Sequence, residues 1–258
     1  MIISNQKQLQ QYREVAQIST AILKQLYQKI AVGVTPLEVD YLADELCVKH
    51  GVTPCFKGVG LKGNEYKHAT CISVNDVVVH GIPDSRPFQE GDVIKVDFGI
   101  NKDGLLTDHC FCVGIAPLSS ADEKLIKVTQ QAIQQATQKA VVGNRVGDIG
   151  FTIESTVMQK GFSVAKEFIG HGIGHTMHDE PQVPAYGRPK KGFYLDEGAV
   201  LCIEAQVLAG EDDLVQDDDG WTIRTKDGSK AAMFEYMVVV GKKKPIILTP
   251  TFSWAVVK

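Results

Sequence analysis

Apolar residues recur every three or four positions near the start of the chain: Leu9, Tyr12, Val15, Ile18, Ile22, Leu26 and Ile30. That is the period of a helix with one buried face, and it predicts a helix from about Asn5 to Ile30. Thr35-Pro36-Leu37-Glu38 opens a second helix. Its threonine caps the first turn, proline takes the first helical position, Glu38 reaches back to the cap, and Gly51 is the stop. Short strand signals come next, TCISV from Thr70 to Val74 and VVVHG from Val77 to Gly81, joined by a turn at Asn75-Asp76. The order then repeats. Ser120-Ala121-Asp122-Glu123 predicts another capping box, opening a helix to about Val142, and a further helix runs from about Val146 to Lys160 and stops at Gly161. Gly33 and Gly143 sit between the helices of each pair and Gly51 and Gly161 close them, both at a spacing of 110 residues. Two helices then strands, twice over, predict a duplicated α+β architecture. We expect a single domain over 1–258, with halves of about 1–115 and 116–258 and a site between them that draws side chains from both.

Several charged residues break the apolar pattern. In residues 93–113 the alternation of Ile94, Val96, Phe98 and Ile100 with Lys95, Asp97 and Gly99 reads as a half-buried strand, followed by a turn and a second strand. If Asn101 and Gly104 close the turn, Asp97 stands directly across from Asp108. A shorter turn at Asp103-Gly104 shifts the register by two and keeps both aspartates on one face. Like charges so placed repel, and a shared proton or a bound cation relieves them. Glu204 in AVLCIEAQVLA and Glu235 in AAMFEYMVVV likewise interrupt apolar strands, where an unpaired carboxylate is expensive. His171, His175 and His178 crowd one glycine-rich loop. A shared metal centre explains these residues together: four carboxylates balance two divalent cations, and oxygen donors with one imidazole suit Mn, Fe, Co or Zn.

Composition narrows the setting. A net charge of −4 and a pI near 6.0 leave no electrostatic footprint for nucleic acid. No apolar run approaches the roughly 18–20 residues of a membrane span, and the N-terminus turns polar after Ile3, so a cytoplasmic protein is expected. The six cysteines are read as reduced, small buried residues rather than a disulfide framework or a zinc site. The acidic stretch Glu211–Asp219 and the basic triplet Lys242–Lys244 are read as solvated loops.

SVNDVVVHGIP (73–83), the spaced Asp97 and Asp108, HGIGH with His178 in MHDEPQV, Glu204, Glu235 and DGWTIRTKDG together resemble type I methionine aminopeptidases, across nearly the whole chain. The resemblance implies the pita-bread fold, with pseudo-two-fold halves around a central antiparallel sheet. It also implies a site in which Asp97, Asp108, His171, Glu204 and Glu235 hold two divalent ions (Co, Mn, Fe or Zn), with Asp108 and Glu235 bridging. Glu204 would act as general base, and a hydroxide bridging the metals would attack the scissile carbonyl. His178 would hydrogen-bond the scissile amide and steady the tetrahedral intermediate, and His80 would contact the backbone on the leaving side. Tyr66, Cys71, Met177 and Trp221 would line the methionine pocket. The implied substrates are N-terminal methionine peptides and nascent polypeptides with a small second residue, met at the ribosome and handled by a monomer. Ala205, Tyr236, Met177 and Gly63 depart from the pattern, where proline, histidine, an aromatic and tyrosine are usual; this bears on substrate preference and rate. Rival readings are a specialised paralogue with an altered pocket, an Xaa-Pro peptidase, and a non-catalytic peptide-binding scaffold of the same fold.

Overall fold

A computed structural model describes residues 1–258. Helix α1 (Gln6–Lys29) starts where the Asn5 side chain accepts a hydrogen bond from the Gln8 amide, and buries Leu9, Tyr12, Val15, Ile22, Leu23 and Leu26. Helix α2 (Pro36–His50) carries the expected box, with Thr35 and Glu38 each bonded to the other's backbone N–H, and ends at Gly51 in the left-handed conformation. Strands β1 (Thr53–Pro54), β2 (Thr70–Val74), β3 (Val77–Val79), β4 (Val93–Phe98), β5 (Ile100–Lys102), β6 (Leu105–Leu106) and β7 (His109–Gly114) complete the first half. The second half repeats the plan with α3 (Ser120–Thr137), α4 (Val146–Met158), β8 (Ser163–Val164), β9 (Gly170–Gly172), β10 (Asp179–Val183), β11 (Val200–Leu208), β12 (Leu214–Gln216), β13 (Ile223–Thr225), β14 (Ala231–Val239) and β15 (Ile246–Ile247).

Two boundaries differ from expectation. The cap of α3 is Ser119, whose hydroxyl accepts from the Asp122 amide, so the box read at Ser120 is displaced by one residue. The same helix stops at Thr137 rather than near Val142, because Val141 is drawn into a bridge with Gly241.

The main sheet has the order β10-β9-β11-β14-β7-β4-β2, with β8 and β15 pairing β11 and β14. Its pairings are antiparallel, and the hairpins β4–β7 and β11–β14, one from each half, meet at its centre. The repeat legible in the sequence is therefore a repeat in space. Gly33 and Gly143 have φ of 85° and 94°, and Gly51 and Gly161 have 64° and 84°, positions where a side chain is strained. One face of the sheet packs against all four helices through a single core that includes Ile72, Ile94, Val96, Phe98, Phe111, Ile203, Ala205, Val207, Phe234, Tyr236 and Val238. Each isoleucine, leucine or phenylalanine fully buried there contributes roughly 1.5–3 kcal/mol. Because strand side chains alternate, the even positions of β11 and the odd positions of β14 face the other way. The three-stranded sheet β12-β13-β3 forms a separate ribbon whose β3 leads directly into His80.

Candidate metal centre

Register gathers the carboxylates. Across the sheet Glu204 pairs with Glu235, Glu235 with Cys110, Cys110 with Asp97, and Asp97 with Cys71, so these side chains form one transverse row. A second row one step along the same face brings Cys202 opposite both His171 and Met237, and the Asp108 amide points at the Met237 sulfur at 3.2 Å. The β5–β6 turn is the shorter one, at Asp103-Gly104, both with positive φ. Asp97 therefore faces Cys110, not Asp108: the aspartates are diagonal neighbours on one face.

The electrostatics of this face are unbalanced. Asp97 and Glu235 are pushed up first by burial and then by neighbouring carboxylates; for Asp108 the order is burial, Glu235 and Asp97. Glu204 is raised by burial, and a hydrogen bond from Gln206 and the charge of His178 partly oppose that. Oδ1 of Asp97, Oδ1 of Asp108 and Oε1 of Glu235 are buried without a hydrogen-bond partner. No lysine or arginine pairs with any of the four, so the protein's own groups leave the charge uncompensated. His171 completes the set. Its Nδ1 donates to the Gly172 carbonyl at 3.0 Å, which leaves Nε2 as a lone pair 3.8 Å from Asp108 Oδ2. Two acceptors at that distance do not bond each other; they fit a cation between them. Ligand atoms of Asp108, His171, Cys202 and Glu235 all lie within 4.8 Å of one another.

The row forms the floor of a cavity of about 330 Å³. The eleven residues that the resemblance assigns to the site all line it: Asp97, Asp108, His171, Glu204, Glu235, His80, His178, Tyr66, Cys71, Met177 and Trp221. His80 leaves β3 in the left-handed conformation (φ 56°), an uncommon choice for a non-glycine residue. Burial first, then the neighbouring His178, pushes His80 down to about 4. His178 sits edge-on to His171 with ring centroids 4.5 Å apart, and burial followed by His171 lowers it too. Both imidazoles are held towards the neutral form. Tyr66 is pinned by its hydroxyl, which donates to the carbonyls of Thr70 (2.9 Å) and Gly81 (3.0 Å), and Trp221 lies edge-on to it at 5.1 Å.

Other members of the site carried no clear signal in the sequence. Phe56, Val59, Phe168, Ile169 and Met233 add apolar wall. Gln206 donates to Glu204 Oε2 at 2.5 Å. Asp219, at the end of the acidic stretch read as solvated loop, accepts from the Trp221 and Thr222 amides at 2.8 Å each and so sets the turn that presents Trp221. Conversely His175 stays outside the cavity, where its Nδ1 bonds the Gly104 carbonyl at 2.7 Å. Ala205 and Tyr236 belong to the core on the helix side of the sheet, opposite the carboxylates. Gly63 is a turn residue with φ of 94° and no wall position.

Comparison with known proteins agrees with this geometry. Residues 10–242 match the model of metallopeptidase family M24. The methionine aminopeptidase of Clostridium perfringens is 39% identical over 249 residues, 96% of this chain and 98% of that one. Methionine aminopeptidase 1 of Bacillus subtilis is 35% identical over 249 residues, 96% of this chain and 99% of that one. Among solved structures, methionine aminopeptidase of Thermotoga maritima superposes with a TM-score of 0.92 at 35% identity, covering 96% of this chain and 99% of that one. With its duplicated pita-bread fold and its row of carboxylates, the chain belongs to metallopeptidase family M24.

Proposed function

We propose that this protein is a divalent-metal-dependent methionine aminopeptidase, removing N-terminal methionine from peptides and nascent polypeptides whose second residue is small. The observation that carries the reading is the buried, uncompensated row of four carboxylates with His171 on the floor of a largely apolar cavity. Its likeness to methionine aminopeptidases over 96% of the chain supports the substrate.

The donor set fits divalent cations: carboxylate oxygens without partners, an imidazole nitrogen with a free lone pair, and no basic side chain in competition. In this reading Asp97, Asp108, His171, Glu204 and Glu235 hold two ions (Co, Mn, Fe or Zn). Bound there, the ions would supply positive charge that acidifies water and polarises a peptide carbonyl. Glu204 would serve as the base that accepts a proton from the attacking water and returns it to the departing amine, its carboxylate fixed by the Gln206 hydrogen bond. His178, neutral at pH 7, offers an N–H to the scissile amide, and His80 contacts the backbone on the leaving side. Tyr66, Cys71, Met177 and Trp221 hold the thioether side chain. A cavity of about 330 Å³ is small for a ligand site and accommodates one long side chain beside a short one. The two halves work as one catalytic domain, since the ligands come from both. Action as a monomer in the cytoplasm, on chains leaving the ribosome, completes the proposal; six free thiols, five of them buried, suit a reducing compartment.

A peptide panel with manganese- or cobalt-loaded protein tests the substrate. Met-Ala and Met-Gly peptides are expected to be cleaved, Met-Leu peptides at least about tenfold more slowly, as a methylene-scale size filter allows. Preferential cleavage of an Xaa-Pro peptide, or binding of peptides without turnover, would overturn the reading.

A further inference from the structure

Cys202 lies fully buried on β11, directly opposite His171, on the same sheet face as Glu204. Its Sγ belongs to the cluster in which ligand atoms of Asp108, His171, Cys202 and Glu235 lie within 4.8 Å of one another. Four donors at roughly 2.0–2.3 Å from one ion, tetrahedrally arranged, stand about 3.3–3.8 Å apart. Shortening the widest separations by about 1.0–1.5 Å therefore brings all four onto one cation, and His171 Nε2 and Asp108 Oδ2 are already 3.8 Å apart. The thiol's hydrogen-bond contacts are both to members of this cluster, a long one of 3.8 Å to the Asp108 carbonyl and one to the Glu235 carboxylate. Asp108 and Glu235, members of the same cluster, each carry one buried carboxylate oxygen without a partner.

We propose that Cys202 is a sulfur ligand to the ion held by Asp108, His171 and Glu235, making one position of the centre a mixed oxygen, nitrogen and sulfur site. On binding, the Sγ–H bond breaks, its proton passes to bulk water, and an Sγ–metal bond forms. The chemical consequence is a bias towards borderline, thiophilic ions, zinc, cobalt or ferrous iron, over magnesium or manganese. The inference rests on the metal reading of the site given above and deepens it.

Titration of the metal-free protein with Co(II), followed by absorption, tests it. Visible d–d bands report any bound cobalt; an intense near-ultraviolet thiolate-to-cobalt charge-transfer band reports sulfur. We expect both in the wild type. Cys202→Ser, which keeps a hydrogen-bond donor of similar size, is expected to keep the visible bands, lose the near-ultraviolet band and bind Zn(II) about tenfold more weakly. Visible bands without the charge-transfer band in the wild type, or a charge-transfer band that survives in Cys202→Ser (sulfur from Cys71 or Cys110), would overturn the inference while leaving the metal centre intact. Absence of all cobalt bands would overturn the metal reading itself. Should the serine variant fail to fold, X-ray absorption on the cobalt-loaded wild type decides the matter: a sulfur neighbour at about 2.3 Å is expected, and an oxygen and nitrogen shell alone would overturn it.

Discussion

At the scale of single residues, Gln206 shows how this site spends polar groups. It is fully buried, it gives its amide N–H to Glu204 at 2.5 Å, and its Oε1 finds no partner. An unsatisfied buried carbonyl costs about 1–3 kcal/mol, so stability alone does not favour glutamine here; orientation of Glu204 does. Gln206→Met, nearly isosteric and apolar, should lower kcat about tenfold, the equivalent of roughly 1.4 kcal/mol for a hydrogen bond to a charged group, with KM changed less than about twofold. Thermal melting should show a Tm equal to or above that of the wild type. A kcat unchanged in steady-state assays would mean that Glu204 needs no such partner. The carboxylates were legible because Asp, Glu and His break an apolar alternation. Cys202 and Gln206 were not: a cysteine reads as one more small apolar residue, and a single glutamine in a strand reads as its solvent face.

At the scale of elements, β11 and β14 divide labour between their two faces. Glu204, Gln206 and Glu235 face the cavity, while Ala205, Phe234 and Tyr236 face α3 and the core, where Tyr236 packs on Phe252 with ring centroids 4.0 Å apart. The departures at 205 and 236 therefore act on packing. Tyr236→Ala should cost about 3–5 kcal/mol in denaturant melts, as other large-to-small aromatic truncations do. The kcat of its folded fraction should stay within about threefold; a much larger loss would show that the helix-side face shapes the site. Helices and strands followed from periodicity because each buries one face. Register did not follow, since it turns on whether the loop closes at Asn101/Gly104 or at Asp103-Gly104, and two residues of slip preserve the pattern of faces. The one-residue displacement of the α3 cap has a similar origin: Ser119 and Ser120 are equally good caps by chemistry, and tertiary packing chooses.

At the scale of the whole molecule, the 110-residue repeat becomes a sheet with the two hairpins at its centre, and the site lies where the halves meet. Without Asp97, Asp108, Glu204 and Glu235, the chain holds 27 acidic residues, equal to its 27 lysines and arginines. The excess charge is thus the size of the buried row. This has a consequence for stability. The row's carboxylates take up protons more readily folded than unfolded, so the metal-free native state binds more protons than the unfolded chain, and its stability falls as pH rises. Buried His80 and His109, lowered to about 4 and about 3, act in the opposite sense below their ordinary 6.5, which leaves a clear window from about 6.5 to about 8, where Asp97 titrates. Scanning calorimetry should show the Tm of chelator-treated protein falling across that window, and added manganese or cobalt should raise it most at the upper end. A Tm that is flat with pH and indifferent to metal would place the compensating charge elsewhere.

Methionine release from a Met-Ala-Ser peptide tests whether the protein is a metal-dependent methionine aminopeptidase with Glu204 as its base. The protein is assayed after stripping with chelator, after restoration with manganese or cobalt, and as Glu204→Gln under the same loading. That mechanism predicts no turnover when stripped, turnover on restoration, and a kcat for Glu204→Gln at least about 10²-fold lower in a protein that stays folded. Methionine release that survives complete removal of metal, or a Glu204→Gln variant as fast as the wild type, would contradict it.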